Sequence, residues 1–201
     1  MTNTQEHTGI PLDEVLAAAR DLATAGRWGR AASLLDATTA TDARGRALVA
    51  LAAAQIALDG DWVNGTRAAP GRLDTAEQAS ATATLDPASR WDLAHVRLRQ
   101  AYSDQVHRAG QFRPGPHGRD PAVLADLRRR AGDLHAQAPD DVRRGWAQMY
   151  LGLIADNLYA ERDAAPAHYE AALRAGESGD EAQATGFLAG TDPTAPPDHD
   201  A

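Results

Sequence analysis

The sequence contains no cysteine and no lysine, and only 5% of its residues are aromatic. The absence of cysteine excludes a disulfide framework, a thiolate zinc site and a cysteine nucleophile, and it fits a reducing cytoplasm, where we expect the protein to act. No run of about eighteen apolar residues occurs, and the first residues lack the basic start and apolar core of a signal peptide. We therefore expect neither a membrane span nor a membrane partner.

The charge is negative overall but uneven along the chain. The net charge of −8 argues against a nucleic-acid partner, because duplex-binding domains concentrate positive charge. Residues 97–144 reverse this balance, with ten Arg against six Asp. An anionic partner is therefore conceivable at that segment and nowhere else.

The apolar residues recur at helical spacing, and no stretch alternates as a half-buried strand would. We read the chain as all-α. Asp42, Asp86-Pro87, Asp120-Pro121 and Asp140 are helix-start signals, because Asp accepts unpaired backbone N–H groups and Pro suits the first helical turn. The predicted helices are 11–26, 28–40, 42–59, 73–84, 87–108, 120–137 and 139–159, followed by one from 165. Gly, Asn and Pro make 59–72 a predicted loop.

One helical pair carries a recognisable spacing. Leu151-Gly152 is followed by Ala165, Tyr169, Ala172 and Leu173, and this resembles the tetratricopeptide repeat, in which small residues let two helices approach closely. Gly26, Ala31 and Leu35 give a thinner match. The resemblance, to tetratricopeptide-like proteins of the actinobacterial type, implies an α-α superhelix, a solenoid of about four helical hairpins over 11–190, with a C-terminal capping helix. The alternative is an irregular helical bundle.

Further expectations concern packing and the two ends. Trp146 and Tyr169 should lie buried between hairpins. Residues 1–10 and 191–201 should be disordered, and a helix at 180–190 should cap the solenoid, with Phe187 and Leu188 packed near Tyr169. If this cap does not form, the exposed end favours a homodimer through the C-terminal surface.

The sequence offers no catalytic, cofactor or metal motif. There is no P-loop, no dinucleotide-binding glycine pattern and no zinc-protease motif. Two pairs, Asp92/His95 and Asp104/His107, have half of a metal-site spacing, but a metal needs three or four ligands and we interpret them as surface or interface pairs. Ser178, in "GESGD", is interpreted as a turn residue.

Two sets of polar residues are candidate binding sites. Arg113, His117 and Arg119 could surround an anion beside the next helix, although Asp120 at that helix terminus and the turn-forming Gly and Pro favour a structural role. The first helices of the hairpins could line a groove whose polar residues are Arg20, Gln100, Asp104, Asp156 and Asn157; a merely solvated face is the alternative. The resemblance implies no chaperone-binding carboxylate clamp, because Met149 and Leu153 flank Leu151.

These patterns predict a non-enzymatic helical-repeat module that binds a protein or peptide, with no cofactor. The alternative is a helical small-molecule sensor or enzyme with a pocket lined by Trp91, Tyr102, Trp146 and Tyr150. A deep cavity with converging polar groups would favour the alternative, whereas an open groove would favour the module.

Overall fold

The structure is a computed structural model that describes residues 10–108 and 110–177. This part of the chain is mostly helical, which confirms the all-α prediction. It divides into two compact units, with the boundary between Gln100 and Ala101. The helices are α1 Leu12–Thr24, α2 Trp28–Asp36, α3 Ala43–Asn64, α4 Ala69–Ala81, α5 Pro87–Val106, α6 Pro121–Ala136, α7 Asp141–Asn157 and α8 Ala165–Glu177, with the short strands β1 His107–Arg108 and β2 Gln111–Phe112.

The first unit is organised around α3, which is buried on two faces. One face of α3 packs with α1 and α2, and the other packs with α4 and the first half of α5. Because α3 is apolar on nearly all sides, it can be covered by several neighbours. The first cluster contains Leu16, Ala19, Ala31, Leu35, Ala52, Ala53 and Ile56. The second contains Leu51, Ala54, Leu58, Ala69, Leu73, Ala76, Leu93 and Val96.

The predicted Asp starts are confirmed in both units. Each carboxylate accepts a hydrogen bond from a backbone N–H of the first helical turn, at 2.7 Å for Asp42 and Asp86 and 2.8 Å for Asp120 and Asp140. These bonds satisfy donors that have no partner within the helix.

The predicted loop at 59–72 is wrong. Helix α3 continues past Gly60 to Asn64, and α4 begins at Ala69. Gly60 lies inside the helix against Trp28, whose Cβ would be in ordinary contact, 3.4 Å, with an added Cβ, so this glycine does not end the helix. The turn occurs instead at Gly65, which has φ +67°, and Asp61 accepts the Ala68 and Ala69 N–H groups. Helix α2 also ends earlier than predicted, at Asp36.

In the second unit, α7 packs against both α6 and α8. Helix α6 buries the residues that its spacing predicts: Leu124, Leu127, Ala131 and Leu134. Small residues allow α7 and α8 to approach closely, since a Cβ on Gly145 would lie 2.9 Å from Ala175 Cβ and one on Gly152 would lie 2.6 Å from the Tyr169 ring. The predicted close approach at Gly152 is therefore confirmed.

Other predictions change in the second unit. Trp146 and Tyr169 are half-buried, because they border the small α7–α8 cluster of Met149 and Ala172 and are not enclosed by it. The strands β1 and β2 form a short antiparallel hairpin that we did not predict. Of the predicted disordered segment 1–10, only Ile10 is described, and it is exposed and outside any helix. The expectations for 191–201, for the 180–190 cap with Phe187 and Leu188, and for Ser178 lie outside the described residues.

None of the helices in residues 10–108 and 110–177 combines the length and the apolar character that crossing a bilayer requires.

Candidate functional site

A group of tyrosines lies along α7 in the second unit. Tyr102, on α5, is almost fully buried, and its ring makes an edge contact with Tyr150, with 5.6 Å between ring centroids. Asn157 lies one helical turn after Ile154, on the same side of α7. Its Nδ2 donates a hydrogen bond to the Tyr102 hydroxyl at 2.8 Å. The end of α7 is therefore fixed against α5 by an aromatic contact and a hydrogen bond. We call Tyr102, Tyr150, Tyr169, Asp156 and Asn157 the tyrosine site.

Tyr169 approaches the same end of α7 from α8. Its ring covers Gly152, and Asp156 follows Gly152 by four residues, so Asp156 lies one turn along the same face. Asp156 is also adjacent to Asn157, which contacts Tyr102. The Asp156 carboxylate is thus positioned near two phenols that come from two different helices.

Both phenols are weak acids in this setting. Burial raises the pKa of Tyr102 well above its ordinary value, and it raises the pKa of Tyr169 to about 12, with the Asp156 charge adding to both increases. Each hydroxyl therefore keeps its proton at neutral pH. A phenol that keeps its proton can take part in hydrogen bonds but does not act as a base.

No counter-charge for Asp156 is found among the described residues. Asp156 is half-buried, and among the described residues it takes part in no hydrogen bond or ion pair. All twenty Lys and Arg residues of the chain are arginines, and all of them lie within the described ranges. The remaining parts of the chain therefore contain no Lys or Arg that could pair with Asp156. Arg162, the nearest basic residue in sequence, makes no ion pair with it.

The predicted groove residues are only partly brought together. Asp156 and Asn157 share the end of α7, and Asn157 contacts Tyr102. Asp104 is exposed on the last turns of α5. In the first unit, Arg20 is exposed on α1 and Gln100 is half-buried on α5.

The predicted anion loop uses its main arginine internally. The Arg119 guanidinium donates from Nε and a terminal nitrogen to the Gln105 carbonyl at 3.1 and 2.8 Å, and it also bonds the Arg113 carbonyl. Arg113 is exposed and bonds the Gln111 side chain, and His117 is exposed. Burial, together with nearby Arg108, lowers the pKa of Arg119. These bonds favour the second of the two predicted alternatives, a structural role for the loop, over anion binding.

The four rings of the predicted aromatic pocket have different neighbours. Tyr102 and Tyr150 contact each other. Trp91, in the first unit, stacks on His95 with 4.8 Å between centroids, and Trp146 borders the α7–α8 cluster. Within the second unit, Tyr102 and Tyr150 are thus in direct ring contact, as this prediction requires of two of its four rings.

A polar link between three helices was missed by sequence reasoning. Gln148 on α7 donates to His135 Nε2 on α6 at 2.8 Å, and it accepts from His168 Nδ1 on α8 at 2.7 Å. Burial, followed by the charge of Arg128 and by His135, lowers the pKa of His168. These three residues are distant in sequence and follow no motif, so nothing in the sequence could have indicated them.

The arginine-rich segment is largely neutralised by ion pairs. Arg128 bonds Glu161 and also covers the Tyr159 ring at 3.6 Å, and Arg129 bonds Asp126 and Asp133. Further pairs join Arg97 to Glu77, Arg99 to Asp59, Arg130 to Asp126, Arg143 to Asp140 and Arg144 to Asp141. The local positive charge therefore does not form a bare cationic surface.

The first unit contains a cleft of about 210 Å³ between α2, α3 and α4. Its rim includes Arg46 and the doubly bonded pair of Arg72 and Asp36, at 2.5 and 2.7 Å. This volume is below the range of most small-molecule sites. Within the described residues, no three His, Asp or Glu side chains converge to hold a metal ion.

In comparisons with known proteins, the chain matches no family model, no curated protein and no solved structure.

Proposed function

We propose that the chain is a non-enzymatic, tetratricopeptide-like helical module that binds a protein or peptide segment at the tyrosine site. The observation that supports it most is the α7–α8 hairpin, in which the Tyr169 ring covers Gly152 at the position that the repeat pattern predicts. Helical-repeat modules bind extended segments along the helices that their stacked hairpins present. Helix α7 is the first helix of this hairpin and carries Asp156 and Asn157.

The polar groups of the site suit a peptide backbone. Asn157 uses Nδ2 to bond Tyr102, while its Oδ1 accepts no hydrogen bond among the described residues. A side-chain amide offers a donor and an acceptor, which match those of a peptide group. Because Tyr102 fixes the orientation of Asn157, little side-chain entropy is lost when a partner binds.

The proposal is tested by selecting peptides from a random display library on the full chain and measuring their affinity by fluorescence polarisation. Asn157→Ala should weaken binding about tenfold or more, which corresponds to about 1.4 kcal/mol. Asp133→Ala, a control on the exposed side of α6, should change affinity less than twofold. A thermal melt of each variant shows whether the fold is retained.

Two outcomes contradict the proposal in different ways. If the library yields no peptide that binds the wild-type chain, peptide binding is wrong. If selected peptides bind the Asn157→Ala variant as tightly as wild type, the tyrosine site is the wrong location.

A further inference from the structure

We infer that Asp156 recognises a cationic side chain, an arginine guanidinium or a lysine ammonium, in the bound partner. This inference rests on the proposed function, because it assigns the chemistry of the partner at the same site. Its starting observation is a half-buried carboxylate that has no hydrogen bond or ion pair among the described residues. The protein covers part of this carboxylate, and a bound cation could replace the hydration that is lost there.

The position of Asp156 makes the missing counter-charge more significant. It is the last residue but one of α7, where the helix dipole produces a negative potential. An acidic side chain is unfavourable there, whereas a cation is favoured. The carboxylate and the C-terminal end of the helix therefore both attract a positively charged ligand.

The surrounding rings add a second source of attraction. Tyr169 covers the preceding turn of α7 at Gly152, and Tyr150 is edge-on to Tyr102 on the neighbouring side. Aromatic faces attract guanidinium and ammonium groups, and Arg128 over the Tyr159 ring at 3.6 Å is an example within this unit. A carboxylate beside half-exposed tyrosines thus selects a cation with an apolar stem.

The overall charge supports this choice of partner. The chain carries a net charge of −8, and seven of the ten arginines of its basic segment, residues 97–144, are in ion pairs. A net negative charge of the whole chain favours the approach of a basic segment over that of an acidic one. We therefore expect the partner to be basic at the residue that meets Asp156.

The direct test uses small probes that do not depend on finding the partner. Nα-acetyl-arginine amide and the neutral Nα-acetyl-norleucine amide are titrated into the ¹⁵N-labelled full chain, and the backbone amide shifts are followed by NMR. The arginine probe should shift the amides of Asp156 and Asn157 in a saturable manner, and norleucine should not. In Asp156→Asn the arginine response should be lost, while Asp133→Asn should retain it.

The result that overturns the inference is an equal response to both probes, or a response that Asp156→Asn leaves unchanged. Asp156→Asn should fold, because it removes an unfavourable charge from the helix end, and its melting temperature should equal or exceed that of wild type.

The library selection separates this inference from the proposed function. Peptides that bind wild type but show no enrichment of Arg or Lys would leave peptide binding standing and contradict the role of Asp156. A positive probe titration without any selected peptide would retain the cation site and contradict peptide binding.

Discussion

Arg119 shows how a single residue can satisfy the end of a helix from outside it. The last carbonyls of α5 lack helical donors, and the Arg119 guanidinium supplies two N–H groups to the Gln105 carbonyl. A cation near a helix C-terminus also interacts favourably with its dipole. The sequence placed Arg119 in a Gly- and Pro-rich loop, but the direction of its side chain depends on a turn whose conformation no local pattern specifies.

We expect Arg119→Ala to lower the free energy of unfolding by about 1.5–3 kcal/mol, the usual range for hydrogen bonds that involve a charged group. Arg113→Ala, which removes an exposed arginine from the same loop, should change it by no more than about 0.5 kcal/mol. Urea unfolding followed by circular dichroism measures both. An Arg119-dependent stabilisation of the wild type by sulfate would instead support the anion-loop hypothesis.

At the scale of the elements, two helical glycines have opposite roles. Gly152 on α7 lies under the Tyr169 ring, and an added Cβ would also be 3.2 Å from His168 Cβ. Gly132 on α6 has no neighbouring atom within 4 Å of an added Cβ. One glycine is required by packing, and the other only weakens its helix.

Gly152→Ala should therefore lower the free energy of unfolding by about 1–2 kcal/mol, because overpacking outweighs the better helix propensity of alanine. Gly132→Ala should raise it by about 0.5–1 kcal/mol. Chemical denaturation of the two variants and of wild type shows whether each substitution raises or lowers the free energy of unfolding. Equal effects of the two substitutions would contradict the close α7–α8 contact.

The helix starts could be predicted from the sequence, whereas one helix end could not. Asp42, Asp86, Asp120 and Asp140 act locally, through N–H groups two or three residues away, so the sequence alone identifies them. The sequence pattern predicts that the helix ends at Gly60. Gly60 instead lies inside α3 against Trp28, a tertiary contact that local spacing does not indicate.

The candidate site divides in the same way. Helical spacing predicted Asp156 and Asn157, but the Asn157–Tyr102 bond joins residues from separate helices. The link through Gln148 depends in the same way on the packing of three helices. The sequence therefore predicts which segments are helical, but it does not predict which side chains contact each other.

At the scale of the whole molecule, many ion pairs are exposed and contribute little to stability. Asp86 differs because it also starts a helix: the Ser89 backbone N–H first, and then the Arg44 guanidinium, hold its pKa well below the ordinary value. A folded-state pKa below the unfolded one stabilises the protein above the unfolded pKa of about 3.9. That stabilisation is lost as the pH falls through this region and below it.

The melting temperature of wild type should consequently decrease more steeply between about pH 5 and pH 3 than that of Asp86→Asn, which has no proton to take up at this position. The exposed Asp163, which has no hydrogen bond or ion pair among the described residues, provides the control: Asp163→Asn should keep the wild-type slope. Thermal melts across this pH range compare the three proteins. If the melting temperatures of wild type and Asp86→Asn fall in parallel with pH, the stabilisation by Asp86 does not depend on its charge.

The placement of α3 between two hydrophobic clusters also bears on how quickly the chain can fold. Each cluster joins α3 to helices that are at most two elements away along the sequence. Short connections make loop closure inexpensive in entropy, and a low mean sequence separation between contacting residues is associated with rapid folding. The first unit can therefore assemble outward from α3, with each added helix meeting a surface that is already formed.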